Sequence, residues 1–152
     1  MALTVSDLVD RIGDHLVATL PTSPDSARWT RSRFLPPQLG QDTEAKIARC
    51  WSVWSPSLTI TQPTQRQVSS EGVHVTSTIE AGFSFALRQD GTAADYTAAL
   101  AAEAAFTAAL FSVGRASLPR FTLQTVSRQV QTDNRTLVVV LTLFASHQIP
   151  LT

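Results

Sequence analysis

The sequence predicts an α+β domain: an antiparallel sheet of about four strands, made of two β-hairpins, packed against two main helices in the order α-β-β-α-β-β. Three observations carry that expectation. Residues 5–20 repeat apolar side chains at helical spacing, residues 73–88 alternate with a period of two, and residues 93–113 are alanine-rich and almost free of charge. With 152 residues the chain is the size of one ordinary domain, read here as a single unit spanning 1–152.

In the first helix Val5, Leu8, Val9, Ile12, Leu16 and Leu20 share a face, while Asp7, Asp10, Arg11 and Asp14 share the other. Thr4 followed by Asp7 reads as a capping box and Pro21 as a stop. Gly13 in its middle weakens the helix by about 1 kcal/mol relative to alanine. Residues 46–61 read as a strand with a break at Ser55-Pro56, because proline cannot donate to a ladder. Residues 62–72, "QPTQRQVSSEG", read as the projecting end of a hairpin. In the following strand Val73, Val75, Ile79, Ala81, Phe83, Phe85 and Leu87 line one face. Sixteen extended residues would span roughly 53 Å, so the strand either bends at Gly82 or projects from the body.

"RQDGT" is a turn, and Thr92 with Asp95 caps a second helix that runs to about Val113 and ends at Gly114. Only Asp95 and Glu103 are charged within it, so two of its sides are expected to be covered, one by its own sheet and one by something else. Residues 120–132 and 135–149 form the second hairpin, with a phase shift between Thr125 and Val126 and a turn at Asp133-Asn134. Positions 137–144 are apolar on both faces, as in a central strand.

The segment 21–45 is an extended loop with four prolines, uncommon in a compact domain and often functional. Arg28, Arg31 and Arg33 lie in it beside Trp29 and Phe34, with no acid between the arginines. Either the aromatics pin the loop to the core and the arginines are solvated, or the group meets a partner. Across the chain twelve basic residues balance twelve acidic ones, so no overall field attracts nucleic acid or an anionic membrane. Lys46 is the sole lysine, which fits either a GC-rich genome or a preference for bidentate arginine contacts. The N-terminal stretch lacks the basic start of a signal peptide, and no run approaches the ~20 apolar residues of a membrane span. Synthesis in the cytoplasm is the default.

No motif for catalysis, metal or cofactor binding stands out, and none of the three is expected. His15, His74 and His147 fall on different elements without metal-ligand spacing. Cys50, the single cysteine, excludes an intrachain disulfide and reads as a buried thiol. Glu80 reads as paired to an arginine or solvated. Charged residues make up 16% of the chain, against a usual value of about 25%. A small enzyme or ligand-binding domain would need Glu80, His74 and an arginine to converge on one cavity.

In order and spacing, several segments resemble the tail-terminator and related neck or tail-completion proteins of long-tailed bacteriophages. They are the helix "SDLVDRIGDHLVATL", the proline-containing strand "CWSVWSPSLTI", the loop "PTQRQVSSEG", the strand "VHVTSTIEAGFSFALRQ", the helix "DYTAALAAEAAFTAALF" and the late strand "LVVVLTLFAS". The resemblance implies a structural virion protein of the tail or neck. It would be a homo-oligomeric ring, usually a hexamer, that caps the tail tube protein, joins it to the head–tail connector and lets DNA pass without reading its sequence. A head–tail adaptor or a tail tube subunit is the alternative. Ring closure needs two unlike patches. The nominated ones are the hairpin end, with Arg66 and Val68, and the second helix, with Tyr96 and Phe106; Arg28, Arg31 and Arg33 are further candidate contacts.

Overall fold

The computed structural model describes residues 2–22, 28–41, 49–60, 68–69, 72–87, 93–112, 118–131 and 135–150. Helix α1 spans Val5–Thr19. The Asp7 backbone N–H donates to Thr4 Oγ1 at 3.0 Å, which satisfies one of the orphan donors of the first turn. Leu8, Ile12 and Leu16 are fully buried, as the apolar stripe requires. Gly13 is buried too, for a reason outside helix propensity. A β-carbon there would lie 2.5 Å from Arg31 Nη2, so the bare backbone is the seat of an arginine side chain.

The strands are β1 (Trp29–Arg31), β2 (Arg49–Ile60), β3 (Val68–Ser69), β4 (Gly72–Ala86), β5 (Phe121–Val130) and β6 (Thr136–Ile149), with helix α2 at Ala93–Leu110 between β4 and β5. The sheet's main path is β1-β2-β4-β6-β5, and the two-residue β3 pairs with β4 off that path. This corrects the sequence expectation in two respects. The sheet is mixed rather than antiparallel, because β1 runs parallel to β2, and it holds more than four strands, so the order α-β-β-α-β-β does not hold. The added strand comes from the segment expected to be an irregular loop. Trp29 is large and apolar enough to be driven into the core, edge-on to Phe83 at 5.2 Å and stacked on Phe106 at 5.6 Å. Its backbone then meets the edge of β2, where the Arg49 N–H donates to Arg28 O at 2.9 Å and the Ser32 N–H to Trp51 O at 2.7 Å.

Strand β4 does not bulge at Gly82. It pairs with β6 without a register shift from Val73↔Ile149 to Ala86↔Thr136. Glycine is needed at 82 for close approach instead: a β-carbon would lie 2.8 Å from Val139 O and 3.1 Å from Pro36 Cβ. The register does shift in β2 between Trp54 and Ser57, around the proline, and in β5 between Leu123 and Thr125. The expected hairpin end at 62–72, the turn at 133–134, Thr92 and Gly114 lie outside the described residues, apart from β3 and Gly72.

Alternation sorts the sheet into two faces. Trp51, Ile79, Phe83, Val139, Leu141 and Leu143 form the main core beneath α1 and α2. On the other face a 3₁₀ helix at Pro36–Gln41 covers Cys50 and Val138 with Leu39. It also lies against Gly82, so it roofs only part of that face. Phe144, further along the same face, is 41% exposed. Removing the Phe106 side chain should therefore cost about 3–5 kcal/mol, since it empties the site between Trp29 and Phe83. Urea unfolding of Phe106→Ala against the parent measures it.

Candidate functional site

The histidines lie apart and each has a structural partner. His15 donates from Nε2 to Ala109 O at 2.9 Å, tying α1 to the C-terminal turn of α2, where a donor is favourable. His74 meets the Gln148 amide on the neighbouring strand at 3.0 Å. His147 is buried: Nδ1 donates to Leu3 O at 3.0 Å, and Nε2 accepts from the Ser77 hydroxyl at 2.7 Å. Those two bonds fix one neutral tautomer. Burial lowers the His147 pKa, against smaller upward pulls from backbone contacts with Leu3 and Gln148. A serine–histidine pair invites a nucleophilic reading. Here Ser77 is fully buried, and the third partner is a backbone carbonyl rather than a carboxylate, so the pair anchors the N-terminal segment to β6.

Glu80 accepts from Trp54 Nε1 at 2.8 Å rather than from an arginine. It lies six residues along β4 from His74, about 20 Å away at strand spacing, so the two do not converge on one cavity. Among the described residues no three His, Cys, Asp or Glu side chains gather as metal ligands. Arg128 and Glu103 form an acid–base pair, bidentate at 2.6 and 2.7 Å, which bolts β5 to α2. Glu103 raises the Arg128 pKa, first by hydrogen bonding and then by charge.

The arginine-bearing segment lines a concave surface. Arg28 and Arg31 line a cleft of about 300 Å³ with Leu16, Leu20, Trp29 and Trp51. The Arg31 guanidinium lies 5.4 Å from the Trp51 ring centroid. Arg28 Nε is buried without a hydrogen-bond partner. Arg33 is not part of this cleft and packs over Phe34 at 5.4 Å. Arg49 stacks between Trp29 and Phe85, and burial lowers its pKa. Sequence reading found two of the arginines but missed Trp51, Leu16 and Leu20 as walls. The glycine at 13 inside an otherwise regular helix was the available signal, because such a residue often marks a close contact.

The other nominated residues divide. Tyr96 is 40% exposed on α2, whereas Phe106 is fully buried in the core of the chain. Arg66 and the side chain of Val68 lie outside the described residues. Leu100, not singled out from the sequence, is 48% exposed. Helix α2 buries one stripe, Asp95, Ala99, Ala102, Phe106 and Leu110, within the chain, as expected of the side that meets its own sheet. Its outward side carries Tyr96, Ala98, Leu100, Ala101, Ala104, Ala105 and Ala108 without a charge. Beside it, β5 is the last strand of the sheet, exposed along most of its length, and Arg128 is its sole charged residue.

No family model matches the chain, and no curated protein matches it. Solved structures do. One is a crystal structure from Akkermansia muciniphila, 12% identical, covering 100% of this chain and 82% of that one at a TM-score of 0.38. Another, from the same organism and described as lacking its transmembrane region, is 10% identical and covers 100% and 90% at a TM-score of 0.38. Likeness at that level bears on neither the fold nor the activity of this chain. No described helix here is long and apolar enough to cross a membrane.

The buried His147 makes stability depend on pH. Its folded pKa lies below the unfolded value of 6.5, so the unfolded chain takes the proton first as pH falls. The contribution is present above pH 6.5 and is lost as pH falls through the lower folded value. Urea midpoints should drop on acidification in that window, and His147→Gln should flatten the slope there relative to the parent.

Proposed function

We propose that this chain is a structural subunit of a homo-oligomeric ring, of the tail-terminator or neck type found in long-tailed bacteriophages. The observation that carries the reading is the charge-free outer side of α2, exposed next to a long and almost uncharged edge strand. A helix that is apolar all round is normally buried, and an exposed edge strand is normally protected by charges, proline or a covering element. Here Arg128, the one charge on β5, is already engaged by Glu103. Covering both features with another copy of the same chain accounts for them together.

A closed ring requires a second, unlike patch. The far end of β2 supplies a candidate, with Leu58 and Ile60 42% and 48% exposed at the opposite side of the sheet, beyond the stretch that β1 protects. The sheet face away from the helices fits the wall of a passage. Outside the 3₁₀ helix it presents Thr78, Thr122, Thr125, Ser127 and Gln129 around the exposed ring of Phe144, with Glu80 already bonded to Trp54. Neutral hydroxyl and amide groups release no counterions from DNA and so do not retain it.

The purified protein should form a closed assembly of about 100 kDa if six chains of 16.5 kDa associate. Native mass spectrometry and electron microscopy of the particles measure stoichiometry and shape. Leu100→Glu should disperse the ring while shifting the subunit's unfolding free energy by less than about 0.5 kcal/mol, because the position is exposed in the monomer. A monomer at tens of micromolar, combined with absence of the protein from purified virions, would refute the proposal. One ring per particle, as opposed to many, separates a terminator from a tube subunit.

A further inference from the structure

We infer that the cleft between the C-terminal half of α1 and strand β1 binds an organic carboxylate carrying an aromatic or branched apolar body. Leu16 and Leu20 and the rings of Trp29 and Trp51 give it apolar walls, and Arg28 and Arg31 supply the cations. Its volume of about 300 Å³ sits at the small end of the range for ligand sites, room for one compact molecule.

Two features separate the cleft from a crevice between packed elements. The first is Arg28. Its Nε is buried and makes no hydrogen bond, so that nitrogen has lost water without gaining an acceptor. An anion held by the terminal nitrogens of the same group would compensate, and the planar fork of arginine suits a carboxylate. The second is Arg31. Arg31 is exposed as a residue, but its guanidinium rests 5.4 Å from the Trp51 ring centroid and against the bare backbone of Gly13, in the middle of a helix where glycine is otherwise unfavourable. A cation held in place before a ligand arrives loses less freedom on binding. Among the described residues neither arginine makes an ion pair. Among the described residues no acidic one lines the cleft.

The walls exclude the simpler occupants. An inorganic anion would leave the apolar part of the lining without contact, and a plain hydrocarbon would cover two cations without pairing them. A carboxylate on a flat or branched apolar group satisfies both halves. The inference is independent of the ring proposed above, since α1 and β1 are not part of the α2–β5 surface.

Isothermal titration calorimetry of the intact protein tests it, with indole-3-acetate as the probe. The acid should bind at least tenfold more tightly than the uncharged indole-3-acetamide, and inorganic phosphate should not saturate in the same range. Arg28→Ala should weaken the acid at least tenfold. Gly13→Ala is the second variant, because it favours the helix and so keeps the fold while displacing Arg31; it too should weaken the acid at least tenfold. Equal binding of acid and amide, phosphate binding as tight as the acid, or unchanged affinity in both variants would overturn the inference. A tripeptide ending in leucine with a free carboxylate identifies the source. Binding tighter than that of indole-3-acetate assigns the site to a chain terminus, and weaker binding assigns it to a free acid; either supports carboxylate recognition.

Discussion

The ladder between β4 and β6 is the constraint on which the molecule depends. It runs unbroken from Val73↔Ile149 to Ala86↔Thr136 and places two long strands side by side at the centre of the sheet. Because side chains alternate along a strand, this single register decides what faces the helices and what does not. Ile79, Ala81 and Phe83 point with Leu143, Leu141 and Val139 into the main core. A slip of one residue would put Glu80 and Ser84 there instead, with no donor placed to receive the carboxylate. The same register opposes Ser77 to Ala145 and leaves its hydroxyl for His147 two residues on. Every other element attaches to this pair of strands or to a strand bound to it.

The elements legible from the sequence are those whose pattern is local. Helix α1 shows its apolar stripe, and Asp7 N–H does bond to the Thr4 side chain. Strand β4 shows its alternation, and the proline-associated irregularity of β2 falls at Trp54–Ser57. What stayed hidden is what depends on tertiary contact. Three residues, Trp29–Arg31, carry no strand pattern of their own; they extend because Trp29 is captured by Phe83 and Phe106 while the neighbouring amides meet the edge of β2. Gly82 looked like a kink because glycine weakens strands, yet its role is to let Pro36 approach. Phe106 and Tyr96 lie ten residues apart on a helix with only two charges, so its pattern does not distinguish the inward residue from the outward one.

That last ambiguity has a physical cause with functional weight. A helix on the surface of a monomer announces its buried side by contrast with the charged one, and α2 offers no contrast. Its small alanines let it lie close to the sheet at Ala99 and Ala102, but equally small ones face outward at Ala101, Ala104 and Ala105. A surface selected only for solubility gains from charge at those positions. Leaving them bare keeps open a close approach by a second flat element. The adjacent β5 edge provides backbone donors and acceptors next to that smooth helix, so one neighbour can use both.

The paucity of charge also explains why two arginines stand out. In a chain with many carboxylates, Arg28 and Arg31 would find partners on α1, which carries Asp7, Asp10 and Asp14. Those acids lie on the solvent side of the helix, whereas Arg31 lies against its glycine. Alanine at position 13 would have strengthened α1 and closed the space for the guanidinium. Keeping glycine there sacrifices helix stability to hold a cation beside an indole ring, and no ion pair among the described residues offsets that loss. A positively charged cleft with aromatic walls, kept at a cost to the helix that forms one side, is best explained by a ligand that brings the negative charge with it.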